Sequence, residues 1–117
     1  MNIEDFHDFC LALPGTTVET PFGPDTLVFK AGGKIFALTD LNTFASINLK
    51  CDPERAVELR ETYDYVCPGY HMNKKHWNTV LIGTGATDNQ LRQWTRDSYD
   101  LIVASLPKAQ RGLLDKV

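Results

Sequence analysis

No apolar run in this 117-residue chain approaches the ~20 residues needed to cross a bilayer. The start, Met1-Asn2-Ile3-Glu4-Asp5, is acidic and lacks the basic-then-apolar pattern of a secretory leader. Cysteine is scarce: Cys10, Cys51 and Cys67 are odd in number and far apart, which excludes a disulfide framework and predicts reduced, buried thiols in a cytoplasmic protein. The common catalytic signatures are missing as well. There is no G-x-S-x-G, no Walker lysine loop, no G-x-G-x-x-G after a strand and no H-E-x-x-H. Nothing in the sequence argues for an enzyme.

What is present suits one small domain. The chain is 43% hydrophobic and 10% aromatic, enough to bury a real core. Residues 3–13 place Ile3, Phe6, Phe9, Cys10 and Leu13 at helical spacing, and Pro14-Gly15 ends that helix. Thr26–Lys30 and Ile35–Leu38 are β-rich runs around a Gly32-Gly33 turn. Phe44–Lys50 follows as a third strand with Ile47 and Leu49 alternating against polar neighbours. Asp52-Pro53 opens a second helix as N-cap and first helical residue. Tyr65–Pro68 runs extended, and Trp77–Ile82 reads as a strand. Thr87 and Gln90 have capping-box spacing before a long helix reaching about Leu106, with Asp88 as the other N-cap candidate. Lys108–Val117 forms a further turn or two of helix docked by Leu113 and Leu114.

Residues 68–78, Pro-Gly-Tyr-His-Met-Asn-Lys-Lys-His-Trp-Asn, hold two lysines, two histidines, two aromatics and no acid. Three chemistries compete for them. A metal site would use Cys67, His71 and His76, but their spacing is not that of a zinc motif and no fourth ligand is evident. A Cys67–His71 nucleophile pair is conceivable, although a cysteine before proline is more often simply buried. Nucleic-acid contact fits the residue types best. Lys74 and Lys75 can meet phosphates, Tyr70, His71, His76 and Trp77 can stack or hydrogen-bond, and Asn73 and Asn78 can read polar edges. Against it stand the net charge of −3 and a pI near 5.5. The plain structural alternative is equally concrete: a Trp that starts an apolar strand belongs more often to a core, and loop lysines are usually just solvated.

Several blocks together resemble the MmcQ/YjbR family: Leu13-Pro14-Gly15-Thr16-Thr17, Pro21-Phe22-Gly23, Lys34–Leu38, Asn48–Pro53, Ser98–Leu101 and above all Pro68–Val80. The resemblance covers nearly the whole chain. It implies an α+β fold, a two-layer sandwich with an antiparallel sheet packed by helices on one side, similar to frataxin-like and secretion-chaperone-like folds. It also implies DNA binding, the family's common label, and a site comprising Lys50, His71, Asn73, Lys74, Lys75, His76 and Trp77.

The reading is therefore a single domain over 1–117 with element order α-β-β-β(-β)-α-β-α, no cofactor, no metal and no membrane span. Its expected function is non-enzymatic binding of nucleic acid through the 70–76 loop and the adjoining sheet. His71 and His76 are expected as positioning or pH-sensitive contacts. The alternatives are a protein-interaction or chaperone-like module using the open sheet face, and a small-molecule site where His71 and His76 converge.

Overall fold

The computed structural model describes residues 1–69 and 72–115, with side chains through Gly112. Six strands form one antiparallel sheet: β1 (Thr16–Glu19), β2 (Thr26–Ala31), β3 (Lys34–Asp40), β4 (Ser46–Lys50), β5 (Val66–Pro68) and β6 (Trp77–Leu81), in the spatial order β1-β2-β3-β4-β6-β5. The helices are α1 (Ile3–Ala12), α2 (Pro53–Thr62), α3 (Asp88–Ala104) and α4 (Lys108–Asp115). The fold is thus the α+β sandwich expected. It adds β1 and a paired β5 to the expected element order; the helix expected over Lys108–Val117 is α4, and the docking expected of Leu113 and Leu114 lies outside the described side chains.

Local chemistry explains the element ends. The Asn2 side chain accepts the Asp5 amide at 2.8 Å and starts α1. Asp52 accepts the Glu54 and Arg55 amides at 3.2 and 3.3 Å, and Pro53 occupies the first turn of α2, where its missing N–H costs nothing. Thr87 and Gln90 close a reciprocal capping box at α3. Gly32 and Gly33, at φ 58° and 81°, make the two-residue β2–β3 turn. The third strand begins later than the pattern suggests because Phe44 adopts φ 43°, a turn conformation. The ring of Phe44 is nevertheless buried against Phe6, with centroids 5.7 Å apart, and that burial offsets the backbone cost.

Helices α1, α2 and α3 cover one face of the sheet. The main core there joins Phe6 and Cys10 of α1 to Phe29, Phe36, Ile47, Leu49 and Val80 of the strands and to Leu91, Trp94 and Ile102 of α3. Burial pushes the Cys10 thiol pKa well above its ordinary value, so the group stays a neutral packing atom. The opposite face carries a smaller cluster made only of strand and loop residues: Val28, Leu38 and Trp77, with Ile35 and Met72 against them.

One hydroxyl ties the two layers together. The β3–β4 register places Phe36 opposite Lys50, but the ladder stops one pair short, at Ala37–Leu49. The fully buried Ser98 of α3 fills the gap. Its Oγ accepts the Lys50 N–H at 2.9 Å and donates to the Phe36 carbonyl at 2.6 Å, standing in for a missing rung. Next to it, the Tyr99 hydroxyl donates to the Pro14 carbonyl at 2.5 Å and anchors the turn between α1 and β1.

Ser98→Ala would leave both main-chain groups without their partner. A buried orphan costs roughly 1–3 kcal/mol, so the variant is expected to lose about 2–3 kcal/mol, read as a lower urea midpoint at unchanged m-value. A loss below about 0.5 kcal/mol would mean that Phe36 and Lys50 pair directly once the hydroxyl is gone.

Candidate functional site

The 68–78 stretch is divided by the sheet it feeds. Trp77 opens β6 opposite Lys50, and Asn78 follows opposite Leu49. Alternation sends these two side chains to opposite faces. Trp77, 9% exposed, joins Val28 and Leu38 on the open face. Its ring is therefore part of a packed cluster and is not a free stacking platform.

Asn78, 2% exposed, enters the helical layer. Its Nδ2 donates to the Ala56 carbonyl at 3.3 Å, and its Oδ1 accepts from Arg60 Nε at 2.7 Å. The same guanidinium donates through Nη2 to the Lys74 carbonyl. Arg60 thus clamps α2 to both β6 and the loop, with a planar fork that suits two acceptors at once. The sequence pattern concealed this role, since Arg60 there looks like one more charge on a solvated helix face.

The loop is a set of tight turns. The His76 N–H donates to the Asn73 carbonyl at 3.1 Å, and the Lys75 N–H donates to Asn73 Oδ1 at 2.9 Å. The His76 carbonyl accepts the Cys51 N–H at 2.7 Å, tying the loop to the chain between β4 and α2. Gly69 is required on the other side. Its N–H donates to the Trp77 carbonyl at 2.9 Å, and a Cβ there would lie 2.8 Å from Trp77 Cβ.

The expected site residues separate accordingly. Lys74, Lys75 and Asn73 are exposed, and His76 is half-buried. His71 lies outside the described residues, as does any pairing of it with Cys67 or His76. Lys50 shares the open face with Lys30, because Val28, Leu38 and Asn48 form one row across β2, β3 and β4. Lys30 is already ion-paired with Glu19. Lys75 stands beside Glu54 and Arg60 on the outer surface of α2. Positive charge at this end of the sheet is therefore interleaved with Glu54 and the α2 cap Asp52.

Three surface cavities, of about 340, 410 and 480 Å³, are lined by neither Asn73, Lys74 nor His76. Among the described residues no three His, Cys, Asp or Glu side chains gather closely enough to hold a metal. No described helix is long and apolar enough to cross a membrane.

Arg60→Met is expected to destabilise the fold by about 2 kcal/mol, because it strands the buried Asn78 oxygen. It should also accelerate hydrogen exchange at the His76 amide as the loop loses its anchor. A Lys74→Ala/Lys75→Ala double variant, removing only exposed side chains, should stay within about 0.5 kcal/mol of the parent. Equal losses in the two proteins would contradict this division of roles.

The YjbR family profile matches residues 11–101. The uncharacterised protein YbdF of Escherichia coli O157:H7 is 44% identical over 99 residues, spanning 84% of this chain and 81% of that protein. The uncharacterised protein YjbR of Escherichia coli K12 is 30% identical over 115 residues, 97% of this chain and 98% of its own. Among solved structures, Deinococcus radiodurans protein DR2400 superposes with a TM-score of 0.91 at 37% identity, covering 97% of this chain and 88% of that one. A Pseudomonas syringae protein gives 0.74 at 30% identity, over 87% and 99% of the two chains. The chain carrying the Ser98 bridge and the Arg60 clamp belongs to the YjbR family.

Proposed function

We propose that this protein is a non-enzymatic binding protein that contacts nucleic acid through the turn carrying Lys74 and Lys75. The observation that supports the reading is that both side chains are exposed, have no ion pair among the described residues, and sit on a turn held by Asn73 and Arg60. A turn fixed in this way presents two charges without first having to be ordered.

The same geometry narrows the kind of contact. Trp77 and Asn78 are committed to packing and to the Arg60 clamp, which removes one stacking ring and one base-reading amide. What remains is suited to phosphates, and phosphate contacts position a nucleic acid without reading its sequence. Binding is accordingly sequence-independent, modest and sensitive to salt.

A second reading, protein interaction through the open sheet face, has its own supporting observation. Phe22 is 67% exposed beside a groove of about 410 Å³ that includes Leu38 and Met72.

Fluorescence polarisation with mixed-sequence duplex and single-stranded DNA, at two salt concentrations, separates these. Two phosphate contacts predict a log–log salt slope of about −2 on duplex DNA, with most affinity lost in Lys74→Ala/Lys75→Ala. Absence of binding at low salt would remove the nucleic-acid reading and leave the sheet face as the stronger candidate.

A further inference from the structure

The helical layer has an opening, on the side of α2 opposite the depression that Lys75 lines. Helix α2 packs over β5 and β6, whereas α3 packs over β2, β3 and β4. The seam between them falls where β6 inserts beside β4, and a cavity of about 340 Å³ opens there. Leu49 and Val80 of these two strands form its floor, and Leu59, Trp94 and Leu101 form its walls. Trp94, Asp97, Leu101 and Ala104 repeat at helical spacing, so one stripe of α3 faces the cavity along its length. From α2, Arg55 and Leu59 face it, whereas Pro53, Glu54 and Val57 line the depression shared with Lys75. At 100° per residue these are opposite sides of the helix.

The polar groups at the rim are not equivalent. Arg55 is engaged by Glu58 at 2.7 Å and Asp100 by Arg96 at 3.2 Å. Asp52 is consumed as the α2 cap. Lys50 lines the cavity where β4 ends, but strand alternation directs its side chain to the other face. Asp97 differs from these. Its carboxylate accepts only a neutral amide, from Gln93 at 2.8 Å, and has no ion pair among the described residues. It stands one helical turn from the Trp94 ring on the same stripe.

We propose that this cleft binds a small organic molecule with a flat apolar body and a protonated amine, the body lying between Leu59, Trp94 and Leu101 and the amine meeting Asp97. The volume is at the small end of the range for ligand pockets, enough for one or two fused rings and too small for a peptide helix. A carboxylate without an ion pair beside an apolar wall favours a cation over an anion, through ion pairing. The site is independent of the lysine turn and does not depend on nucleic-acid binding.

The two tryptophans report on the two faces of the sheet, Trp94 from the cleft and Trp77 from the open side. The test is a titration of the ¹⁵N-labelled protein with tryptamine and, separately, with the similarly sized indole-3-propionate, following both protein indole N–H signals. Tryptamine is expected to shift Trp94 saturably while Trp77 stays in place, with a roughly millimolar or tighter dissociation constant. Asp97→Asn should weaken it about fivefold. Ala104→Phe, at an exposed helix position, should fill the cleft and weaken it about tenfold or more, with an unchanged Trp77 signal showing that the fold is intact.

Equal or tighter binding of indole-3-propionate overturns the assignment of the amine to Asp97. Parallel shifts of both indoles, or full binding by Ala104→Phe, overturn the cleft as the site. No movement of Trp94 with either probe overturns the proposal and leaves the cleft to a protein side chain, from a partner or from a second copy.

Discussion

The Ser98 hydroxyl is the contact on which the rest of this architecture depends. Where β3 and β4 stop pairing, a strand amide and a strand carbonyl face each other across a gap, and neither can be buried alone at acceptable cost. A serine on α3 satisfies both. That requirement sets the depth and register at which α3 crosses the sheet. Once α3 is placed, Tyr99 reaches the Pro14 carbonyl, Trp94 reaches Tyr63 and Tyr65, and the aromatic core closes around Phe36. No larger side chain could replace Ser98, because the position has no exposed surface and lies against backbone on two strands.

The placement of α3 also shapes both candidate binding regions. With α3 committed to β2–β4, the strands β5 and β6 are left for α2, and the seam between the helices becomes a cleft. Helix α2 is in turn joined to the β5–β6 loop by Arg60, which holds a buried amide on one side and a loop carbonyl on the other. One face of α2 therefore looks into the apolar cleft and the other supports the lysine turn. The two regions share a helix but differ in chemistry: one is an apolar cleft, the other an exposed turn carrying two lysines beside a shallow charged depression.

The 68–78 stretch shows how a residue-rich motif can mislead. Its unusual composition invites a single functional explanation, yet its members do different jobs. Gly69 is needed because the chain passes too close to Trp77 for any side chain. Trp77 fills the open-face cluster, Asn78 anchors α2, and Asn73 closes the turn. Among the described residues, Lys74 and Lys75 are exposed and their side chains carry no hydrogen bond or ion pair. Short-range spacing could not separate these roles, because strand alternation assigns adjacent residues to opposite sides of a sheet whose far partners are distant in sequence.

The sequence by itself determined what local chemistry controls: α1 from its apolar spacing, the starts of α2 and α3 from Asp52-Pro53 and the Thr87–Gln90 box, and the β2–β3 turn from Gly32-Gly33. Its blocks also pointed to the family and hence to the α+β class. Only the tertiary structure decided what depends on contacts between distant segments. The insertion of β6 between β4 and β5, the pairing that makes strands of Thr16–Glu19 and Val66–Pro68, and the common face of Lys30 and Lys50 all follow from register between remote strands. The Ser98 bridge spans 62 positions to Phe36 and 48 to Lys50. The cleft at Trp94 and Asp97 exists because two helices are held apart by different strands. A cavity is a property of what does not touch, and no pattern along one segment records it.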